Sequence, residues 1–468
     1  MLFVQSTFFW FFAVVFVGHW VLREQRTRKL WLLFASYFFY AAWDWRFLGL
    51  ILFSTGVDAL AAIRIAGTAR ERRRRAWLIA SLVANLGVLA FFKYLDFFAD
   101  STAALLQLLG IKASWTTLHV TLPVGISFYT FQSMSYTIDV FRGKLEARRN
   151  PLDVALFVAF FPQLVAGPIV RARDFLPQLD REKYFADVRF RSSLTIFVIG
   201  FFKKACVSDN LAQWIDPVFA GPASYSAEAI IASVLLYSAQ IYCDFSGYSD
   251  MAIGAAGLLG YRLPQNFAAP YFSRSPAEFW RRWHITLSSW LRDYLYIPLG
   301  GNRKGRTRTY VNLMLTMLLG GLWHGAAWHF VLWGFGHGLA LVGQRIWVRL
   351  RSILSPTRRW GRVLAFCLAA WYLQGSWILF RAPDLASWRI MLRAWVTGTS
   401  AGVMGIGINP WPLIAGLLVL HALAWRVRPE RAVEALPAPA FAAAYGLAWS
   451  VALALLPVEV RPFIYFQF

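Results

Sequence analysis

The sequence predicts an all-α protein that crosses a membrane many times. Hydrophobic residues make up 58% of the 468-residue chain and charged residues only 15%, whereas soluble globular chains carry about 25% charged residues. Mean hydropathy is +0.49, and the chain contains 23 Trp and 40 Phe. The apolar residues form runs that approach the roughly 20 residues a helix needs to span a bilayer. Together these observations predict a polytopic helical membrane protein.

The order of basic clusters and apolar runs sets the expected orientation of the N-terminal part. A first span is predicted at Leu2–Leu22, and the basic cluster Arg23–Lys29 follows it. Spans at Leu30–Ala42 and Phe47–Ile63 precede a second basic cluster, Arg70–Arg75. Because positive loops stay in the cytoplasm, the two spans return the chain to the same side and the N-terminus lies outside. The first span has no cleavage-site pattern, so we interpret it as retained.

Further apolar runs raise the expected number of embedded segments to roughly eleven to thirteen. They lie at Ala76–Phe92, Thr121–Ile138, Leu152–Val170, Leu194–Cys206, Ala229–Leu259, Tyr310–Trp323, Ala326–Trp347, Val363–Phe380, Ile406–Trp425 and Ala440–Pro457. Gly and Pro interrupt Leu122–Phe128 and Phe160–Val170, which predicts broken helices enclosed by protein or by a water-filled cavity. Neither a linker nor a repeat divides the chain, so residues 1–468 are predicted to form one membrane-embedded domain.

Charge and cysteine usage argue against two other classes of protein. The formal charge of +23 comes from short basic clusters between apolar runs. This distribution follows the positive-inside rule rather than forming a phosphate-binding face, so we expect no nucleic-acid partner. The cysteines Cys206, Cys243 and Cys367 are scattered without CxxC spacing, which indicates neither a disulfide framework nor a zinc site.

The segment Tyr261–Thr309 is too basic to span a membrane, yet it is rich in aromatic residues. Its motif FWRRWHITLSSWLRDYLY places Trp and Arg around His284, a pattern typical of the membrane interface. Upstream, Asp244 and Asp250 lie in an apolar stretch, about 120° apart around a helix. We expect each carboxylate to pair with an Arg of 281–292. A buried salt bridge and a functional role both stay open for these carboxylates.

Three histidines occupy the tract 309–344, which contains no Asp, Glu, Lys or Arg. His324 and His329 are about 140° apart around a helix, and HExxH is absent, so no metal site is expected. Side-chain packing is the expected role of His329 and His337. His324 is flanked by small residues in GGLWHGAA, which favour a helix break where a histidine facing a cavity acts as a general base. A histidine satisfied within the core is the open alternative.

Several motifs taken together resemble the membrane-bound O-acyltransferase (MBOAT) family, and within it the bacterial branch that contains the alginate O-acetylation membrane protein. They are LPVGISFYTFQSMSYTIDVFRG (Leu122–Gly143), FFPQLVAGPIVR (Phe160–Arg171), QIYCDFSGYSDMAIG (Gln240–Gly254), WRRWHITLSSWLRDYLYIPLGGN (Trp280–Asn302), LLGGLWHGAAW (Leu318–Trp328) and PFIYFQF (Pro462–Phe468). The resemblance is dense from about residue 120 to residue 340 and looser elsewhere.

The resemblance implies catalytic roles for two histidines. The family's histidine in an apolar helix, its proposed general base, corresponds to His324, and a second family position corresponds to His284. The weaker candidates for donor binding are Arg281, Arg282, Trp283 and Asp244. The implied fold is a ring of tilted helices around a thinned centre, where two funnels meet at the histidines.

The resemblance also implies a reaction and a cellular place. The chain would be a multi-pass protein of the bacterial inner membrane that takes an acetyl group from a cytoplasmic donor, expected to be acetyl-CoA, with no tightly bound cofactor. It would hand this group across the membrane to a periplasmic acetyltransferase partner that acetylates an exopolysaccharide such as alginate. Two alternatives stay open. One is a D-alanyl transferase of the teichoic-acid type that uses a carrier protein, and the other is a transporter with a His/Asp proton relay.

Overall fold

A computed structural model describes residues 1–111, 120–354, 359–457 and 461–464. Within these ranges the regular structure is helical and contains no β-strand, although an isolated bridge pairs Tyr225 with Met404. The predicted all-α fold class is therefore confirmed. Two further segments, Phe202–Ser208 and Arg292–Tyr296, are π-helical.

The α-helices are α1 (Ser6–Val21), α2 (Gln25–Asp44), α3 (Leu48–Ala66), α4 (Glu71–Leu108), α5 (Ile126–Phe141), α6 (Pro151–Ala159), α7 (Phe161–Leu164), α8 (Ala172–Asp180), α9 (Phe190–Phe201), α10 (Asp209–Ala220), α11 (Ala227–Leu258), α12 (Pro276–Arg282), α13 (Ile285–Leu291), α14 (Gly305–His324), α15 (Trp328–Leu354), α16 (Arg359–Arg381), α17 (Leu385–Thr397), α18 (Pro410–Val427), α19 (Pro429–Ala432) and α20 (Ala438–Ala454).

Several of these helices have the length and composition to cross a membrane. Five such stretches occur among the described residues, at Gln25–Ala66, Glu71–Leu108, Ala227–Leu258, Val363–Arg381 and Pro410–Val427. The shorter apolar helices α1 and α20 lie near the two ends of the chain. Each segment predicted from the sequence contains a helix, but several are too short or too polar to span alone. The total of eleven to thirteen embedded segments stays a prediction.

The helices group into two compact units, each assembled from separate parts of the chain. The first unit contains Met1–Ser193 and Ala252–Pro264, and the second contains Leu194–Met251 and Gln265–Phe468. The prediction of a single domain stays a prediction. Sequence reasoning missed α10 and α17, because neither helix contains a continuous apolar run that marks a span.

The two interruptions predicted from Gly and Pro are present in the first unit. Gly125 adopts φ 75°, and a Cβ at this position would lie 2.8 Å from the carbonyl oxygen of Leu164, so α5 begins only at Ile126. The other break separates α6 from α7. There the carbonyl oxygen of Phe157 accepts hydrogen bonds from the side-chain amides of Gln132 (2.6 Å) and Gln163 (2.7 Å). Side chains thus satisfy backbone groups that a broken helix leaves without a helical partner.

A buried carboxylate connects three helices of the first unit. Asp58 of α3 accepts hydrogen bonds from Ser81 and Asn85 of α4 and from Thr137 of α5. The Asn85 and Thr137 bonds measure 3.0 and 2.8 Å. These three partners are neutral donors, and the side chain of Asp58 is fully buried. The carboxylate therefore holds α3, α4 and α5 together through hydrogen bonds, a structural role that the sequence pattern did not reveal.

We expect Asp58→Leu to destabilise the protein more than Asp58→Asn does. Leucine leaves three buried donors without an acceptor, at a cost of ~1–3 kcal/mol for each unsatisfied group, whereas asparagine keeps a carbonyl oxygen for Ser81 and Thr137. The measurement is the thermal unfolding midpoint of each purified variant in the same detergent. Equal midpoints for the two variants would contradict the assigned role of the carboxylate.

Candidate active site

The first candidate residue, His324, is the last residue of α14. The next residue, Gly325, has extended backbone angles (φ −162°, ψ 151°), and the chain becomes helical again only at Trp328. A Cβ on Gly325 would overlap the ring of Phe330. The predicted break is therefore confirmed, and it lies directly after the histidine.

Glycines bring α14 and α15 into close contact beside this break. A Cβ on Gly321 would lie 3.0 Å from the Cα of Gly334, and a Cβ on Gly334 would lie 3.2 Å from the Cα of Gly321 and would overlap the carbonyl oxygen of Met317. Small residues at facing positions let two membrane helices pack backbone to backbone. This contact fixes how the two helices leave the break, and hence where His324 lies.

Aromatic rings surround His324. Its ring centroid lies 5.1 Å from Trp323, 5.1 Å from Trp333 and 5.5 Å from Phe380, each at an interplanar angle between 76° and 85°. The histidine is only 4% exposed. Edge-to-face packing of this kind holds a ring in one orientation, so the imidazole is enclosed by a rigid aromatic wall.

The second candidate residue, His284, precedes α13 in an unusual backbone conformation. It is a non-glycine residue with φ 42° and ψ 54°, in the sparsely populated left-handed region. Its side chain is fully buried, and Nδ1 lies 3.1 Å from Oδ1 of Asn266. Such strain persists only where the surroundings impose it, and it often accompanies function.

Asn266 determines which nitrogen of His284 carries the proton. Its Oδ1 also accepts from the backbone N–H of Thr286 (3.3 Å) and from the Thr286 hydroxyl (2.9 Å), while its Nδ2 donates to Ser249 (3.2 Å). This network identifies Oδ1 as an acceptor, so Nδ1 of His284 must donate to it. The lone pair then belongs to Nε2. Sequence reasoning missed Asn266, because no local pattern connects it to a histidine 18 positions later.

One indole ring connects the two histidines. Trp323 lies 5.9 Å from the ring of His284 and 5.1 Å from the ring of His324. His284 also contacts Phe245, with ring centroids 4.6 Å apart and an interplanar angle of 84°. The structure therefore brings the two histidines predicted from the sequence into one buried aromatic environment.

The weaker candidates for donor binding take different positions. Trp283 is buried and stacks on Phe279 at 5.4 Å, so packing accounts for it. Arg282 pairs with Glu278 at 2.9 Å, and Arg281 is exposed. A role for these residues and for Asp244 in donor binding stays a prediction.

The expected partners of Asp244 and Asp250 were wrong. Asp244 pairs with Lys204 and Asp250 with Lys203, each at 2.7 Å, instead of with arginines of 281–292. The lysines belong to the π-helical segment after α9. The backbone of α11 lies close to it, since a Cβ on Gly247 would be only 2.9 Å from the Lys204 amide nitrogen. The two aspartates of α11 therefore pair with lysines of a segment that packs against this helix, rather than with arginines of the basic segment that follows in sequence.

The other two histidines of this tract, His329 and His337, lie in α15 and contact aromatic rings. His337 is buried against Phe279, Trp280 and Trp333, with ring centroids 6.3, 5.2 and 4.5 Å away. His329 is half-buried and contacts Phe330 at 4.2 Å. Among the described residues, no three His, Cys, Asp or Glu side chains lie close enough together to hold a metal ion.

Comparisons with known proteins identify relatives of the chain. The sequence model of one family, MBOAT (membrane-bound O-acyltransferase family), matches residues 142–379. A probable alginate O-acetylase of Azotobacter vinelandii is 45% identical over 83% of this chain and 77% of its own length. A peptidoglycan O-acetyltransferase of Helicobacter pylori is 39% identical over 81% of this chain and 76% of its own length. A teichoic acid D-alanyltransferase of Streptococcus thermophilus is 28% identical over 50% of this chain and 60% of its own length.

We expect Gly334→Val to destabilise the α14–α15 contact beside His324, with Gly343→Val on the same helix as its control. A valine at 334 forces the two backbones apart, and overpacking of this kind costs ~1–3 kcal/mol. A Cβ at 343 meets no atom within 4 Å. The thermal midpoint should fall for the first variant and stay near the wild-type value for the second. Equal midpoints for the two variants would show that the close approach does not constrain the break.

Proposed function

The chain belongs to the membrane-bound O-acyltransferase family, and we propose that it moves an acetyl group from acetyl-CoA in the cytoplasm across the membrane for O-acetylation of an exopolysaccharide such as alginate. As a member of this family it is a multi-pass membrane protein and an acyltransferase. The observation that carries the proposed chemistry is the pair of buried histidines whose rings both lie near Trp323. The names of the relatives support acetyl as the acyl group.

In the proposed reaction His324 acts as the general base. Its imidazole takes the proton of the acceptor hydroxyl while the hydroxyl oxygen attacks the carbonyl carbon of the acetyl thioester. The new C–O ester bond forms, the C–S bond breaks, and the departing coenzyme sulfur receives the proton from the imidazolium. The histidine is neutral again after each turnover, and no acyl-enzyme is needed.

His284 is proposed to orient the reacting hydroxyl. Because Nδ1–H of His284 donates a hydrogen bond to Oδ1 of Asn266, the neutral ring carries its lone pair on Nε2, which can accept a hydrogen bond but cannot donate one to a developing oxyanion. Donors for the oxyanion must then come from elsewhere. The backbone N–H groups at the break between His324 and Trp328 are the nearest candidates in sequence, and fixed donors of this kind are the largest source of rate enhancement in acyl transfer.

The phosphates of the donor are proposed to contact basic residues. Positive charge attracts the phosphates of a coenzyme, and two basic segments are candidates for this role: Gly301–Thr309, which leads into α14, and Arg171–Lys183, which contains α8. Arg281 is exposed, while Arg282 is held by Glu278. Of these two arginines, Arg281 is therefore the better candidate for a phosphate contact.

The comparisons favour acetyl transfer over D-alanyl transfer. The relatives named for O-acetylation match more than four fifths of the chain at 39–45% identity, whereas those named for D-alanyl transfer match about half of it at 26–28%. We further propose that the chain acts in the bacterial inner membrane with a periplasmic acetyltransferase and a polysaccharide acceptor as partners. Family membership also favours an enzyme over the transporter alternative.

We expect His324→Ala to lose acetyl transfer while His329→Asn retains it. Removal of a general base costs about 10²- to 10⁴-fold in rate, whereas the half-buried His329 contacts Phe330 and is given no step in the proposed reaction. The measurement follows coenzyme release and label transfer from radiolabelled acetyl-CoA by protein in nanodiscs, with and without the periplasmic partner. Equal turnover in wild type and His324→Ala would remove this histidine from the chemistry. No turnover in the wild type would indicate a different donor.

We expect Asn266→Ala to lower kcat roughly 10-fold or more with little change in KM, because the proton of His284 is no longer fixed on Nδ1. Asn266→Asp should retain more activity than Asn266→Ala, since a carboxylate oxygen can still accept the hydrogen bond from Nδ1–H of His284. The same assay, normalised to folded protein, provides both constants. A loss confined to KM, or the reverse order of the two variants, would contradict the orienting role.

A further inference from the structure

A buried ionic cluster lies in the second unit, one residue away from a ring that contacts His284. Lys204 is 2% exposed, and its Nζ lies 2.7 Å from Oδ1 of Asp209 and 2.7 Å from Oδ1 of Asp244. Two carboxylates face one ammonium group, so the cluster has an excess of negative charge. A buried ion cluster of this kind persists only if further hydrogen bonds satisfy it.

The C-terminal segment Arg461–Ile464 provides those hydrogen bonds through its backbone. The amide N–H of Ile464 donates to Oδ2 of Asp244 at 2.8 Å, and the amide N–H of Arg461 donates to Oδ2 of Asp209 at 3.4 Å. In return, the carbonyl oxygen of Arg461 accepts from Lys204 at 3.1 Å. The tail is therefore bound by the cluster through both backbone donors and a backbone acceptor.

A second ion pair holds the beginning of the same segment. The guanidinium group of Arg461 pairs with Asp216, and Arg381 contacts the same carboxylate at 3.2 Å. The path of the tail between these anchors is consequently fixed. Both oxygens of Asp244 have partners within the protein, one in Lys204 and one in Ile464.

One aromatic side chain of the anchored tail, Phe463, packs against Phe245, which in turn contacts His284. The ring of Phe463 is fully buried, 5.4 Å from Phe245 and 5.1 Å from Tyr248. Phe245 directly follows Asp244 on α11 and meets the ring of His284 edge to face at 4.6 Å. A continuous line of contacts thus runs from the ionic cluster through Phe463 and Phe245 to the imidazole.

We propose that the C-terminal segment Arg461–Ile464 is a positioning element for His284, with the Lys204–Asp244 pair as its anchor and Phe463 as the side chain that keeps Phe245 against the imidazole. Asn266 fixes one edge of that ring, and the Phe245–Phe463 pair closes another side. His284 has a left-handed backbone, so a gap on that side gives the strained residue room to relax. The importance of this positioning for acyl transfer rests on the proposed function, whereas the mechanical link does not.

The test measures how fast diethyl pyrocarbonate modifies the histidine ring in detergent-solubilised full-length protein, with peptide mass spectrometry identifying His284. In the wild type this buried ring should react slowly. Phe463→Ala should raise the rate roughly 10-fold or more, because local opening becomes easier, and Phe463→Leu should restore most of the protection. His337 is equally buried but has no described contact with the tail, so its rate should stay constant. Phe335→Ala, on an exposed face of α15, is the control substitution.

A second variant addresses the anchor and leaves the Phe463 side chain in the sequence. Ile464→Pro removes the N–H that Asp244 accepts and should also expose His284 to the reagent. A wild-type measurement makes the test independent of how the variants fold: hydrogen exchange of the tail and modification of His284, followed together as temperature rises, should report the same opening. Modification of His284 while the tail amides remain protected, or unchanged protection in both folded variants, would overturn the proposal.

The catalytic consequence is measured separately. If His284 orients the acceptor, Phe463→Ala should lower kcat roughly 10-fold with KM little changed, and Phe463→Leu should recover it. Faster modification of His284 with unchanged kcat would support the positioning of the ring and contradict the proposed role of that ring in acyl transfer. Lower kcat with unchanged modification would contradict the positioning element itself.

Discussion

The interior of this protein depends on one constraint: a charged side chain that water cannot reach must find its partners within the chain. Within the first unit, Asp58 meets it with three neutral donors from α4 and α5. Within the second, Lys204 meets it with two carboxylates and a backbone carbonyl. Each solution joins segments that lie far apart in sequence. These bonds therefore also hold the segments that carry them against one another.

The candidate site is held in two different ways. At the break after His324, α15 packs closely on the end of α14 through the contact of Gly334 with Gly321. At His284 a strained backbone is held by Asn266, which bonds both to the imidazole and to the hydroxyl and N–H of Thr286. One break is thus enclosed by packing and the other by hydrogen bonds. Both keep a histidine fixed without exposing it to lipid.

How much of this the sequence reveals depends on the range of the interaction. The helices, the two Gly/Pro interruptions and the break after His324 were predictable, because hydrophobic runs and small residues act on their immediate neighbours. The partners of Asp244 and Asp250 were predicted wrongly, because the approach of Gly200 and Gly247 brings lysines of another helix into reach. Asn266 and the contact between Phe463 and Phe245 were not predicted at all. These pairings depend on the three-dimensional arrangement of helices, and no local residue pattern records that arrangement.

The surroundings of the two histidines suit different tasks in a proton-transfer reaction. Asn266 commits the Nδ1 proton of His284 to one acceptor, so that ring presents a fixed lone pair and is suited to orienting a hydroxyl. His324 lies between two indoles and a phenyl ring. Aromatic rings stabilise a desolvated cation by up to about 2 kcal/mol, which aliphatic side chains do not. If His324 becomes positively charged during the proposed reaction, the surrounding aromatic rings stabilise the imidazolium more than aliphatic side chains would. Both rings are buried and both contact aromatic side chains, so the bond from Nδ1 of His284 to Asn266 is the difference on which the proposed division of roles rests.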